Sequence, residues 1–292
     1  MKQSFLRYYK TVQDYHRLAE ESHANQMFAA DLILQHAALS GFVLDVAGGT
    51  GFNAEFFKIP ANRYICVDLS LHGLRMAKEK GRGHAVQADV AHLPVGDSAV
   101  DAVLCSWSLE HFPNPEDILQ EMIRVVRPEG RIIIWGPNWD NIFRKDFPQF
   151  AHKSWGFVQK VRWKIFCRML KNEFLPFRYH PFITEDVVAF LDPQAVAYDS
   201  DATHCVLCQE TYKFFKEREC EIIHIADFSE MQSHLWNDLF IRTVRRILAP
   251  FLPLLRGTPL LRWFVIRFPI VVQKPLTTAG NEKDENTTSS CP

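Results

Sequence analysis

Phe42-Val-Leu-Asp-Val-Ala-Gly-Gly-Thr-Gly51, followed by Phe52-Asn-Ala-Glu-Phe-Phe-Lys58, decides the fold. The first five residues are an apolar run of strand length, Ala47 to Gly51 is a tight turn, and Asn53 to Lys58 resumes as a helix. Upstream, Ala30, Ile33, Leu34 and Ala37 recur at helical spacing, predicting a helix over Gln26 to Leu39 that Gly41 stops. Downstream the alternation repeats. Strands are expected at 64–68, 85–89, 100–105 and 130–135, with helices at 71–80 and 115–126 between them. A helix at 208–218 and strands at 221–225 and 268–273 close the series. Strands alternating with helices of this length predict an α/β fold, a mostly parallel seven-stranded sheet with helices on both faces.

The 292 residues are 47% apolar and 23% charged, which excludes a disordered chain, a collagen-like repeat and a multi-span membrane protein. The net charge of −1 gives no global argument for nucleic acid. Seven scattered cysteines and the absence of a secretory signal at the start read as a cytoplasmic location. The close pair Cys205-x-x-Cys208, preceded by His204, lacks the second pair that structural zinc wants, so no metal is expected and the thiols read as buried hydrophobes.

Acids sort the function. A carboxylate at the end of the first strand would repel a pyrophosphate, so Asp45 argues against a dinucleotide and for a ligand carrying positive charge. Asp68 ends the second expected strand and Asp89 the third, suited to ribose hydroxyls and to an exocyclic adenine amine. Singly, each Asp fits a turn or cap residue. Three at successive strand ends do not.

With these motifs the sequence resembles the class I S-adenosylmethionine-dependent methyltransferases, in the quinone and small-molecule subgroup. Residues 43–51 resemble the cofactor loop, Val67-Asp-Leu-Ser70 the ribose motif and Gln87-Ala-Asp-Val90 the adenine site. Leu93-Pro94 to Asp97, Ser106-Trp-Ser-Leu-Glu-His111 and Val125 to Gly130 resemble later motifs. Two positions depart, Ala47 and Glu129, where the family usually carries glycine. The resemblance implies a Rossmann-like sheet with its last strand antiparallel and S-adenosyl-L-methionine as cofactor. Asp45, Ala47, Gly48, Gly49 and Gly51 would surround the methionine portion, Asp68 the ribose, and Leu69, Asp89 and Val90 the adenine. Ser106 would close the floor. His111 is the candidate general base, with His152 and His180 behind it.

The domain reading is a helical segment over 1–40, a methyltransferase domain over 41–276 and a disordered tail over 277–292. Its core spans 42–138, 200–228 and 268–274, with cap insertions at about 139–199 and 229–267. Residues 139–182 carry twelve aromatics and nine Lys/Arg against three Asp/Glu, and 239–274 carries seven basic residues and no acid. Caps so cationic and apolar point to a hydrophobic or lipid-like acceptor. The stripe Phe240, Ile241, Val244, Ile247, Leu248, Phe251 is expected to cover the substrate or to lie on the inner membrane face through 239–267. Pro253, Pro259, Arg256 and Arg262 rule out a spanning helix there. Nucleic acid is disfavoured because Ser106-Trp-Ser-Leu stands where base methyltransferases of DNA often carry a Pro-Pro-aromatic run. The rival reading is a non-catalytic S-adenosylmethionine-binding protein whose caps hold a membrane or partner.

Overall fold

A computed structural model describes residues 16–17, 20–21, 28–112, 114–140, 154–175, 182–183, 204–225, 250 and 267–276. Helix α1 (Phe28–Ala37) leads into β1 (Val43–Val46), α2 (Asn53–Phe56), β2 (Tyr64–Asp68), α3 (Leu71–Glu79), β3 (His84–Gln87) and β4 (Val100–Ser106). Then come α4 (Pro115–Val125), β5 (Val126–Pro137), α5 (Trp155–Phe174), β6 (Phe182–Ile183), β7 (His204–Cys205), α6 (Cys208–Lys216), β8 (Glu221–Ile225) and β9 (Arg267–Gln273). The stretches 139–154, 176–203 and 229–266 of the expected caps fall largely outside the described residues, as do most of 1–27 and the tail after 276.

Seven strands form one sheet in the order β3-β2-β1-β4-β5-β9-β8. The first five are parallel, and β9 runs antiparallel to both β5 and β8. The fold is therefore the expected Rossmann-like α/β sheet. The order reverses between β1 and β4, and the carboxyl ends of those strands open a crevice, the place where such sheets bind ligands. Strand β1 is buried along its whole length. Leu44 and Val46 face a core with Leu119, Met122, Ile132 and Phe214, while Val43 faces one with Phe56, Phe57, Tyr64 and Trp135. Cys205 and Cys208 enter different clusters, Cys205 against Trp139 and Leu207, Cys208 with Val206 and Phe214.

Two boundaries differ from expectation in ways that matter. Strand β3 stops at Gln87, so Asp89 lies in the following turn, where its Oδ1 accepts from the Ala91 N–H at 3.2 Å and its carbonyl from the His92 N–H at 2.9 Å. Strand β5 starts at Val126 rather than Gly130, because the backbone passes through Glu129 at φ +61° without leaving the sheet edge. A left-handed residue with a side chain costs about 1–2 kcal/mol. Glu129→Gly should therefore raise stability by about 1 kcal/mol, after the extra flexibility of glycine in the unfolded chain is subtracted. Urea unfolding midpoints at constant slope check this. The neighbour cannot change places with it: a Cβ on Gly130 would meet the Asp101 and Arg127 carbonyl oxygens at 2.7 and 2.8 Å.

Candidate functional site

The turn after β1 is built from left-handed residues, Ala47 at φ +57°, Gly49 at +55° and Gly51 at +69°. Gly51 N–H donates to the Gly48 carbonyl at 2.8 Å and Ala54 N–H to the Gly51 carbonyl at 3.0 Å, so the turn runs directly into α2. Ala47 thus adopts the left-handed conformation in which glycine is at home. The three positions do different work. Gly49 faces the crevice, where the nearest atom to an added Cβ would be His16 Nδ1 at 3.8 Å. Gly51 faces inward, where a Cβ would meet Ala77 at 3.2 Å and Arg82 at 3.3 Å; its role is close packing of turn on helix rather than contact with a ligand.

A cleft of about 870 Å³, counting its open mouth, lies over this turn. Of the expected site residues, Ala47, Gly48, Gly49, Asp68, Leu69, Val90, Ser106 and His111 line it. Asp45, Gly51 and Asp89 do not.

Asp45 is fully buried beneath the turn. The Tyr64 hydroxyl donates to Oδ2, and the Asn53 amide donates to Oδ2 at 3.0 Å and Oδ1 at 3.2 Å. A Cβ on Gly48 would sit 2.4 Å from Asp45 Oδ2, so the carboxyl props the turn from below. Asp45 itself does not line the cleft: alternation along β1 places it on the same side of the strand as Val43. Burial pushes its pKa up to about 7, against the hydrogen bonds from Tyr64 and Asn53. The native state therefore holds a proton there that the unfolded chain releases near pH 4, and the group's contribution to stability falls as pH rises from about 4 to 7. Asp45→Asn, which copies the protonated form, should remove this fall, so the variant gains on the wild type as the pH goes from 5 to 8. Thermal unfolding at both values checks it.

Asp68 takes the position expected of it. Its Oδ2 accepts from Gly49 N–H at 2.9 Å and its Oδ1 from Ser70 N–H at 2.6 Å, tying the turn to the start of α3. Ser70 caps that helix by accepting from Gly73 N–H at 3.3 Å. Leu69 is held at its carbonyl by the Gln87 side chain at 3.0 Å, and buried Val90 stands at the same end of the cleft. Ser106 ends β4. Trp107, at φ +52°, turns the chain over the rim with its N–H on the Trp135 carbonyl at 2.7 Å, and the 3₁₀ turn Leu109–His111 brings His111 and Phe112 to the opposite wall. A bulky left-handed residue is strained, and such strain concentrates at functional sites.

Sequence reasoning missed the roof. His16 and Glu20 line the cleft from above. His16 Nε2 pairs with Ser70 Oγ at 2.8 Å, and burial with neighbouring His72 lowers its pKa to about 4. Burial pushes Glu20 up, but bonds from Arg82 and Lys80 outweigh it and hold its pKa at about 2. Arg82 is the hub, reaching Glu20 at 2.5 Å, Glu55 at 2.8 Å and the Thr50 carbonyl at 3.1 Å. The one sequence signal was Gly73, whose Cβ would lie 2.9 Å from the His16 ring.

The comparisons agree with this geometry. The family profile described as "Methyltransferase domain" matches residues 44–134. The ubiquinone/menaquinone biosynthesis C-methyltransferase UbiE of Pasteurella multocida is 35% identical over 102 residues, 32% of this chain and 38% of that protein. A demethylmenaquinone methyltransferase of Thermobifida fusca is 36% identical over 104 residues, 33% and 44%. A malonyl-[acyl-carrier protein] O-methyltransferase of Hamiltonella defensa is 33% identical over 93 residues, 32% and 36%. The chain spans about two fifths of the length of these relatives. In the solved complex of the Haloferax volcanii Trm112 methyltransferase activator with a methyltransferase, one chain superposes with TM-score 0.53 at 12% identity. That match covers 91% of this chain and 98% of that one, a likeness of fold.

Proposed function

We propose that the chain transfers methyl from S-adenosyl-L-methionine to a hydrophobic small-molecule or lipid-like acceptor, at carbon or oxygen. The observation that carries the reading is Asp68 standing across the left-handed Ala47–Gly51 turn, at the foot of a cleft with apolar walls. The residues fit the cofactor. Each Asp68 oxygen accepts a backbone N–H and keeps a second lone pair, which suits a ribose diol. Gly49 leaves the turn open to close approach, and Leu69 with Val90 offers an apolar slot for a purine.

When bound, S-adenosyl-L-methionine supplies a methyl activated on a sulfonium sulfur. The protein's part is orientation and dryness. Asp68 would fix the ribose, Ala47 to Gly49 would hold the methionine portion by backbone groups, and Asp45 would keep that turn rigid from beneath. Asp89 acts through its turn, holding Val90 in place. Trp107, His111 and Phe112 wall the side where an acceptor would enter; His111 would take the acceptor's proton where the nucleophile still carries one.

Support for a quinone-type acceptor comes from the UbiE and demethylmenaquinone relatives, and for an oxygen acceptor from the acyl-carrier relative. Support for a location at the inner membrane face rests on the basic apolar segment 239–267, almost all of it outside the described residues. Among the described residues, no helix is long and apolar enough to cross a membrane. The non-catalytic rival is disfavoured by relatives named as enzymes. Incubation with methyl-labelled S-adenosylmethionine and a panel of demethylated quinols, phenols and apolar carboxylates is expected to label an organic-phase product. Cofactor binding with no labelled product across the panel would overturn the proposal.

A further inference from the structure

Strands β1 and β4 are paired with Val46 opposite Cys105, so the two chains leave the sheet at the same level. Ala47 then opens the cofactor turn on one lip of the crevice, and Ser106 with Trp107 forms the other. Among the described residues Trp107 is the one aromatic at positive φ, held at +52° with its N–H on the Trp135 carbonyl at 2.7 Å. Its side chain is half-buried. It packs on the core that contains Phe56 and Trp135, and it also lines the cleft. Core packing alone gives no reason for so bulky a residue here, since glycine would pass this turn without strain.

We propose that the Trp107 ring holds the sulfonium of S-adenosyl-L-methionine, a role that rests on the cofactor reading above. Of the side chains that take a cation over a ring face, tryptophan is the strongest. The carboxylates lining the cleft among the described residues have other work: Asp68 accepts from the Gly49 and Ser70 N–H groups, and Glu20 from Arg82 and Lys80. Phe52, another ring of the lining, already carries a cation, the Arg82 guanidinium 5.2 Å from its centre. A ring also suits the chemistry. On transfer the acceptor's electron pair forms the new bond to the methyl carbon, the S–C pair stays on sulfur, and the positive charge at sulfur is lost. A carboxylate in contact would stabilise the starting cation more than the transition state, whereas a ring quadrupole binds it more weakly. The neutral thioether left behind gains nothing from that quadrupole, so Trp107 also separates donor from product.

Titration calorimetry of the full chain with S-adenosylmethionine and with S-adenosylhomocysteine tests this without turnover. Trp107→Leu, apolar but without a π face, is expected to lose about tenfold more affinity for the sulfonium than for the thioether. Trp107→Phe should keep most of the distinction. Unfolding midpoints report that each variant is folded. If Trp107→Leu is not, the wild-type chain grown on fluorotryptophan decides: fluorine drains the ring face and should weaken the sulfonium alone, and Trp107 is the tryptophan that lines the cleft among the described residues. The inference is overturned, with the cofactor reading left standing, if Trp107→Leu loses both ligands equally or neither, if the fluorinated chain keeps the wild-type ratio, or if Glu20→Gln shifts that ratio and Trp107→Leu does not. A wild-type chain that binds neither ligand would remove the cofactor reading itself, and the role of Trp107 with it.

Discussion

Asp68→Ala is expected to weaken S-adenosylhomocysteine binding by about two to three orders of magnitude in titration calorimetry. Hydrogen bonds to a charged group contribute about 1.5–3 kcal/mol each, and this carboxylate would be asked for two ribose contacts. It also holds Gly49 N–H and Ser70 N–H, the two amides that join the cofactor turn to α3. Asp68→Asn keeps the shape and one acceptor oxygen, and should retain part of the affinity. The fold should survive both changes, since Asp68 stands at the crevice rather than in either core. Unchanged affinity in Asp68→Ala would remove the central support for the cofactor assignment.

Arg168→Leu is expected to destabilise the protein by about 3–5 kcal/mol at pH 8, the cost of leaving one half of a buried ion pair. Glu210 on α6 is fully buried, and α5 supplies two partners: Arg168 Nε donates to it, and Asn172 Nδ2 at 2.9 Å. Burial raises its pKa to about 7, with the Arg168 charge pulling the other way. The folded-state value lies above the unfolded one, so this group's contribution is complete below about pH 4.5 and is lost as pH rises through 7. Without Arg168 the folded value climbs further and the loss extends to higher pH, so the defect should shrink on going from pH 8 to 5.5. Adding Glu210→Gln should recover most of the stability at pH 8. Denaturant unfolding of the two single variants and the double variant measures the coupling. A defect equal at both pH values would mean that packing of the Arg168 stem, not charge, is what α5 loses.

The α/β alternation was legible because β1, β2 and β4 are short, largely apolar runs separated by helical stretches, and Ile132 to Trp135 gives β5 the same texture. Asp68 was legible for the same reason: it ends a strand on the crevice side. The place of Asp45 beneath the turn was not legible, because β1 is buried on both faces and composition carried no sign of which way each side chain points. Its partners, Tyr64 and Asn53, are ordinary residues whose meaning appears only in three dimensions. Asp89 moved out of its strand because Asp-Val-Ala-His forms a turn at β3's end. Glu20 meets Arg82 across 62 residues of chain and His16 meets Ser70 across 54, separations that no local pattern reports. Asp140 went unnoticed likewise, though its two oxygens accept from Cys208 and Gln209 N–H, both at 2.8 Å, and cap α6 from the far side of the first insertion. Ala47 and Glu129 departed visibly from the glycine pattern, and both turn out to sit in the left-handed region where glycine is at home.

Strand β9 lies between β5 and β8, and among the described residues β8 has no other neighbour. A nascent chain can pair its first five strands as they emerge, but β8 must wait, with its amides unmet, until residues 267–273 are made. Sheet closure is therefore the final act of folding, and both cap segments are tethered at each end only once it has happened. A frameshift or nick that removed those seven residues would open the β5 edge and strand β8 together, exposing two hydrogen-bonding edges to any neighbouring molecule.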